Sequence, residues 1–364
     1  MMKRARPWAL TLALTVTLGL AVQGSALASA ASRTHGLSAS QPSRAPALST
    51  CAAVQSHRRA LTAQGLTRAM CVTQLTSKSA RPADRARTAD LFCAINRFEI
   101  CTNSTGTISV IDLSNGQTVG QLSYALQQDI VLNPNSLTFG ENYNMNFTGG
   151  WGNILGMNVG LAVTCGPDCS ATTNFTNPGP AYVGGSFGGG ISYSDFPVVI
   201  DNTRSTYTLT ATGPGAPGVG VTQSQPYRCD TIASFNSGCV NPGYWPILTT
   251  MVSLPTIAQN IRNVQSAGPH HYGRMAGGFP LIRNDSLQAA NNAAACPPPG
   301  SQPPNTTCDE YPFASTSQGA SQTQKPDWNS VWAPVSEQNA QGGYISSFYQ
   351  TNRVLSGDAF WVQV

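Results

Sequence analysis

Ten cysteines place the tightest limit on how this chain can fold. They are Cys51, Cys71, Cys93, Cys101, Cys165, Cys169, Cys229, Cys239, Cys296 and Cys308, all beyond an apolar N-terminal run. An even count in an exported chain reads as a disulfide framework. Sequential pairing would close five local loops, although sequence alone does not fix connectivity. A metal reading of Cys165 and Cys169 is weak, because no His or second close Cys pair lies beside them.

The N-terminus predicts export. Lys3, Arg4 and Arg6 form a basic start, Ala9 to Val22 an apolar core, and Ala28-Ser29-Ala30 a small-residue cleavage site. The apolar run is short for a membrane span. A retained anchor is the competing reading, and the fit of the cleavage site weighs against it. The expected product is secreted, extracellular and free of the membrane once the signal (1–30) is removed.

Composition narrows the class. Only 10% of residues are charged, and there are 35 Gly and 25 Pro among 364 residues. That suits a β- and loop-rich protein and argues against charge-driven disorder. The formal charge of +4 includes three positives in the signal, so the remainder carries about +1 (4 − 3). Residues 227–364 hold six Lys/Arg (Arg228, Arg262, Arg274, Arg283, Lys325, Arg353) against seven acids (Asp230, Asp285, Asp309, Glu310, Asp327, Glu337, Asp358). Bulk charge there gives no footprint for nucleic acid. A local patch or a bound cation would have to supply attraction to a polyanion.

Punctuation divides the chain further. Residues 31–88 are rich in Ser, Ala, Thr and Arg and read as a leader or pro-region, with a small stapled helical piece at Cys51 and Cys71. Arg81 to Arg87 is a basic processing candidate. Residues 89–226 read as a β-rich, sandwich-like domain. Strands are expected at Thr107–Leu113, Val119–Leu126, Ile130–Leu132, Asn158–Thr164 and Thr206–Ala211, with Asn115-Gly116 as a hairpin turn. Gly184-Gly185 and Gly188-Gly189-Gly190 read as flexible turns, since no Lys-Ser/Thr or helix pattern follows them. Residues 212–226, rich in Gly, Pro, Ser and Gln, read as a linker. In 227–364, helices are expected at Pro255–Val264, Ser286–Ala295 and Tyr344–Tyr349, and a strand at Ala359–Val364. The overall class is α+β.

The chemistry concentrates in Cys308-Asp309-Glu310-Tyr311-Pro312-Phe313-Ala314-Ser315-Thr316. Pro312 biases Tyr311 toward extended geometry, so the two acids should end a strand or sit on a rigid loop. Neighbours on a strand point to opposite faces. One carboxylate could then face a cleft while the other supports it or binds an ion. The competing reading is a solvated turn or cap. Phosphodiester hydrolysis needs a base for water and a cation for the charge that develops on phosphate. An acidic pair with a divalent ion supplies both, and neighbouring negative charge would raise one carboxylate toward a useful range.

With Gly278-Phe279-Pro280-Leu281-Ile282-Arg283, Asn291 to Cys296, Glu337 to Gly343 and Gly357 to Val362, this run resembles the NucA/NucB deoxyribonuclease family of secreted bacterial endonucleases. The likeness covers roughly residues 227–364. It implies a small α+β nuclease domain resembling the ββα-metal nucleases, a DNA substrate, a divalent ion such as Mg²⁺ or Mn²⁺, and one of the acidic pair as general base. Asp309 is preferred as base, with Glu310 as support or ion ligand; sequence does not firmly separate the roles. The resemblance also places Asn339 on the helix that carries the metal, with Glu337 and Gln338 as neighbours able to substitute.

Arg283, and more weakly Arg274, would grip phosphate. Some relatives carry a His just before that Arg; here it is Ile282, so no role is carried over. His270 and His271 sit in a Gly/Pro-flanked loop and read as a rim rather than a catalytic pair. Asp358 reads as a turn residue before the last strand. The expected product is a monomeric, sequence-nonspecific endonuclease, whose β-rich domain serves an inhibitor, cell-wall-binding or substrate-positioning role. The competing function is a wall- or carbohydrate-binding β-sandwich with a degenerate nuclease scaffold. A serine hydrolase is less supported still, because no Gly-x-Ser-x-Gly elbow is present with a credible His partner.

Overall fold

The computed structural model describes residues 50–75, 95–298, 300 and 302–364. The expected signal, the basic processing candidate and Cys93 lie outside them. Twelve strands belong to the first half or border it: β1 (Arg68–Leu75), β2 (Glu99–Asp112), β3 (Thr118–Val131), β4 (Thr138–Gly152), β5 (Asn158–Thr164), β6 (Cys169–Thr173), β7 (Gly179–Pro180), β8 (Ser186–Asp195), β9 (Ile200–Thr203), β10 (Thr206–Gly213), β11 (Gly215–Gln223) and β12 (Tyr227–Asp230). Six more follow: β13 (Gly238–Val240), β14 (Ile247–Leu248), β15 (Leu281–Ile282), β16 (Thr306–Tyr311), β17 (Asn329–Pro334) and β18 (Ala359–Val362). The α-helices are α1 (Cys51–Ala63), α2 (Pro255–Ala267), α3 (Gln288–Ala295) and α4 (Val335–Thr351). Among the described residues no helix is long and apolar enough to cross a membrane.

The first core lies between two runs of one ten-stranded sheet. Six strands, β6-β8-β4-β3-β2-β1, form one run, and β11-β10-β5-β7 the other. A single parallel pair, Ala69 with Ala216, joins them at β1 and β11. Alternation builds the inner faces. In β3, Leu122, Tyr124, Leu126 and Ile130 are buried while intervening residues are partly exposed. At the opposite edge the Cys165–Cys169 disulfide ties the end of β5 to the start of β6.

Several expectations change here. Gly215 to Gln223 forms β11 rather than a linker, with its register to β10 running from Thr206–Gln223 to Gly213–Gly215. Its glycines are the reason. A Cβ on Gly218 would sit 2.6 Å from the Met70 carbonyl carbon, so bare backbone lets β11 lie against β1. Gly188 to Gly190 likewise belongs to β8, not to a turn. Cys71 lies on β1, and its bond to Cys51 pins α1 over β1 and β2 above Val54, Leu61 and Ile111. Thr50 caps α1 by accepting the Ala53 N–H at 3.1 Å. Cys229–Cys239 and Cys296–Cys308 also follow sequential pairing; Cys101 is disulfide-bonded as well.

The second core gathers α2, α4, β14, β15, β18 and the β16–β17 hairpin. β18 is central, parallel to β14 and antiparallel to β15. Helix α2 starts at Pro255 and buries Ile257, Ile261 and Val264 along one stripe. Its first N–H groups have no cap from their own chain segment. Glu337 of α4 provides one, accepting Thr256 N at 3.0 Å, Ile257 N at 3.2 Å and Thr256 Oγ1 at 3.0 Å.

A buried ionic cluster joins the two cores. Asp358 accepts Arg97 Nη2 at 2.7 Å and Arg228 Nη1 at 2.6 Å, and Asp230 pairs with Arg353. Asp358 also accepts Leu355 N at 3.0 Å, so it does hold the turn before β18. The cluster is the larger part of its role. Burial drives the Arg97 pKa below its ordinary value, and the Asp358 carboxylate opposes that.

Candidate active site

Strand β16 carries Asp309 and Glu310 into the wall of a cleft of about 350 Å³. The hairpin fixes them: Asp309 pairs with Val331 and Glu310 with Ser330. Strand alternation sends the two side chains to different neighbours. Asp309, 1% exposed, has Asn260 of α2 and Gln341 of α4 beside it. Glu310, 7% exposed, lies by the Cys296–Cys308 disulfide, with its Oε2 3.7 Å from Cys296 Sγ. Cys296, Cys308 and Glu310 cluster tightly, but the two sulfurs are bonded to each other and offer no thiolate to a metal.

Burial pushes the Asp309 carboxyl up to about 6, and the Glu337 charge adds to this. Burial and then the Asp309 charge push Glu310 up to about 7. Two adjacent carboxyls that resist ionisation form a place where a cation is favoured. Asp309 Oδ2, Gln338 Oε1 and Gln341 Nε2 are buried with no hydrogen-bond partner. The orphaned oxygens of Asp309 and Gln338 and the Glu310 carboxylate line one cleft, and oxygen donors of this kind are what Mg²⁺ or Mn²⁺ takes.

Helix α4 forms the facing wall. Gln338, Gln341, Gly342, Ile345 and Tyr349 line the cleft at helical spacing. Asn339 falls one residue off that stripe and is exposed outside the cleft. Glu337 is engaged at the start of α2. Gln338, Gln341 and Gly342 are thus what a reading centred on Asn339 misses. Their signal is the i, i+3, i+4 spacing, visible only when the helix is carried through Gly342-Gly343.

Arg283 lines the same cleft. It forks onto Asp285, with both contacts at 2.8 Å, and lies 4.4 Å over the Tyr349 ring. Asp285 is half exposed, so an incoming phosphate meets an Arg whose present partner is solvated. Arg274 does not line the cleft, and its Nε is buried without a partner. Neither His270 nor His271 lines it. His270 Nδ1 is 2.6 Å from Asp327 Oδ2 with its ring stacked on Tyr272, and His271 Nδ1 is 2.8 Å from the Gln265 carbonyl.

Residues 281–363 match the family model described as Deoxyribonuclease NucA/NucB. No curated protein and no solved structure matches the chain. The matched span holds Arg283, Asp309, Glu310, Gln338 and Gln341, whereas Asn260 and the rest of α2 precede it. The C-terminal region of this chain is a domain of the NucA/NucB deoxyribonuclease family.

Proposed function

We propose that this protein is a secreted, divalent-metal-dependent endonuclease that hydrolyses DNA phosphodiester bonds without sequence preference. One observation carries the reading: a buried acid pair on β16 faces a polar cleft and leaves Asp309 Oδ2 and Gln338 Oε1 unpartnered. Asp309, Glu310 and Gln338 would hold the ion. When bound, it supplies positive charge to the phosphoryl oxygens and acidifies water. Asp309 takes the proton of the attacking water as the new oxygen–phosphorus bond forms and the ester oxygen departs. Glu310, crowded by Asp309, stays beside it as ligand or support. Arg283 exchanges Asp285 for the phosphate. Its stacking on Tyr349 keeps the guanidinium in place during that exchange. Disulfides of this density form in oxidising compartments, which supports secretion.

The test is Asp309→Asn in a plasmid-nicking assay on folded protein with saturating Mg²⁺ or Mn²⁺. Loss of a general base costs about 10²–10⁴ in rate. A wild-type rate would end the assignment and favour the degenerate-scaffold reading.

A further inference from the structure

The first core contains a second cavity, of about 260 Å³, between the two runs of sheet. Val72, Leu126, Met145 and Leu209 give it apolar walls, and half-buried Thr73, Gln74 and Thr222 form its rim. Three tyrosines enter it: Tyr124, Tyr143 and Tyr207, at most 3% exposed. Tyr207 is committed, donating to Glu141 Oε2 at 2.8 Å beside Tyr193, which donates to the same oxygen at 2.5 Å. The hydroxyls of Tyr124 and Tyr143 are not: among the described residues neither has a hydrogen-bond partner. Space has been left for Tyr124 in particular. It sits opposite Gly106 in the β2–β3 ladder, and a Cβ at that position would lie 2.3 Å from the Tyr124 ring.

Both phenols line the cavity and their hydroxyls are not among the sealed, unpartnered polar atoms of the described residues, so two donors are available there to one shared acceptor. Among the described residues no Lys or Arg lines the cavity, so an anion would be unpaired there. The volume suits one or two fused rings rather than a drug-sized ligand. We infer that the β-rich half binds a small, uncharged aromatic ligand in this cavity, with a carbonyl-type oxygen accepting hydrogen bonds from Tyr124 and Tyr143. The site is separate from the acid cleft and independent of the nuclease reading.

The experiment uses the full chain and three matched probes: 2-acetylnaphthalene, 2-ethylnaphthalene and 2-naphthoate. Binding is followed by saturation-transfer NMR and calorimetry. The ketone should bind saturably at one site. The hydrocarbon, which keeps the shape and loses the acceptor, should bind about tenfold more weakly. The carboxylate should bind more weakly than either. The Tyr124→Phe/Tyr143→Phe variant removes two hydroxyls that bond to nothing in the protein, so its circular dichroism and unfolding midpoint should match the parent. In that variant the ketone and the hydrocarbon should bind alike. Absence of saturable ketone binding would show a cavity that holds only water and overturn the inference. A ketone preference that survives in the variant, or tighter binding of the carboxylate, would overturn it equally.

Discussion

Buried carboxyls in this protein come in two kinds, and their partners tell them apart. Glu141 is saturated: Tyr193, Tyr207 and Gln128 all donate to it. Asp309 has an orphaned oxygen facing a cleft. The first is structural and its titration should be read in stability. Burial raises Glu141 to about 7 from 4.5, while its hydrogen bonds pull the other way. The folded state therefore holds this proton more tightly than the unfolded chain. Its stabilisation is complete below about pH 4.5 and is lost as pH rises through about 7, a swing of about 3 kcal/mol. Asp129 and Asp195 are also raised, both to about 6, so the wild-type curve sums several groups. Subtracting the Glu141→Gln curve isolates the one. Urea midpoints taken from pH 4.5 to 8 should fall less in that variant, and parallel curves would refute the assignment. The second kind should be read in activity. Gln338→Leu should shift the Mg²⁺ titration of nicking to higher concentration, with part of the rate regained at saturation. Asn339→Ala, outside the cleft, should leave it in place; a right shift for Asn339→Ala alone would return the ion to the position that the sequence favours.

At the scale of elements, α4 shows how far a sequence can be read and where the reading stops. Asp309 and Glu310 were legible because Pro312 ends a strand and the acids precede it. Asn339 lies on a helix, as the resemblance implied, but on its exposed side; a helix expected only from Tyr344 gave residues 338–342 no phase. Once the helix runs through the glycines, its phase puts Gln338 and Gln341 on the cleft. The second core allows this, since Phe348 and Tyr349 bury the far end of α4 and outweigh the weak propensity of its middle. β11 was hidden by the same ambiguity: glycines that suggest a linker are what allow contact with β1. A Cβ at Gly342 or Gly343 would meet nothing within 4 Å. Either Gly→Ala change should then stabilise the fold by up to about 1 kcal/mol. Gly342 lines the cleft and Gly343 does not. Gly343→Ala should keep its nicking rate while Gly342→Ala loses rate by crowding the site. Equal rates, with both variants stabilised, would mean that bare backbone at 342 plays no part in substrate access.

For the whole molecule, a β-rich N-terminal part followed by a small α+β C-terminal region was visible in strand spacing and in the run after Cys308, but their connection was not. It depends on five charged residues from distant parts of the chain: Arg97, Arg228, Asp230, Arg353 and Asp358. No local pattern announces them, since each reads alone as a solvated surface charge. Together they are buried, and three guanidinium groups share two carboxylates. Arg97 and Arg228 both also donate to the Arg353 carbonyl, at 2.9 and 2.8 Å. Asp358 is the centre, and its own carbonyl accepts the Arg283 N–H at 2.9 Å, one residue from the cleft wall. Asp358→Asn keeps the shape and the turn contact but leaves Arg97 and Arg228 without a counter-charge there. Removing one member of a buried pair costs about 3–5 kcal/mol, much of it the uncompensated charge that remains. The urea midpoint of Asp358→Asn should drop accordingly. Nicking by the fraction still folded should continue, because β16, β17, α2 and α4 hold Asp309 and Glu310 without the cluster. A midpoint equal to wild type would show that the cluster does not hold the two cores together. A folded variant with intact stability and no nicking would instead make Asp358 part of the cleft's machinery through Arg283.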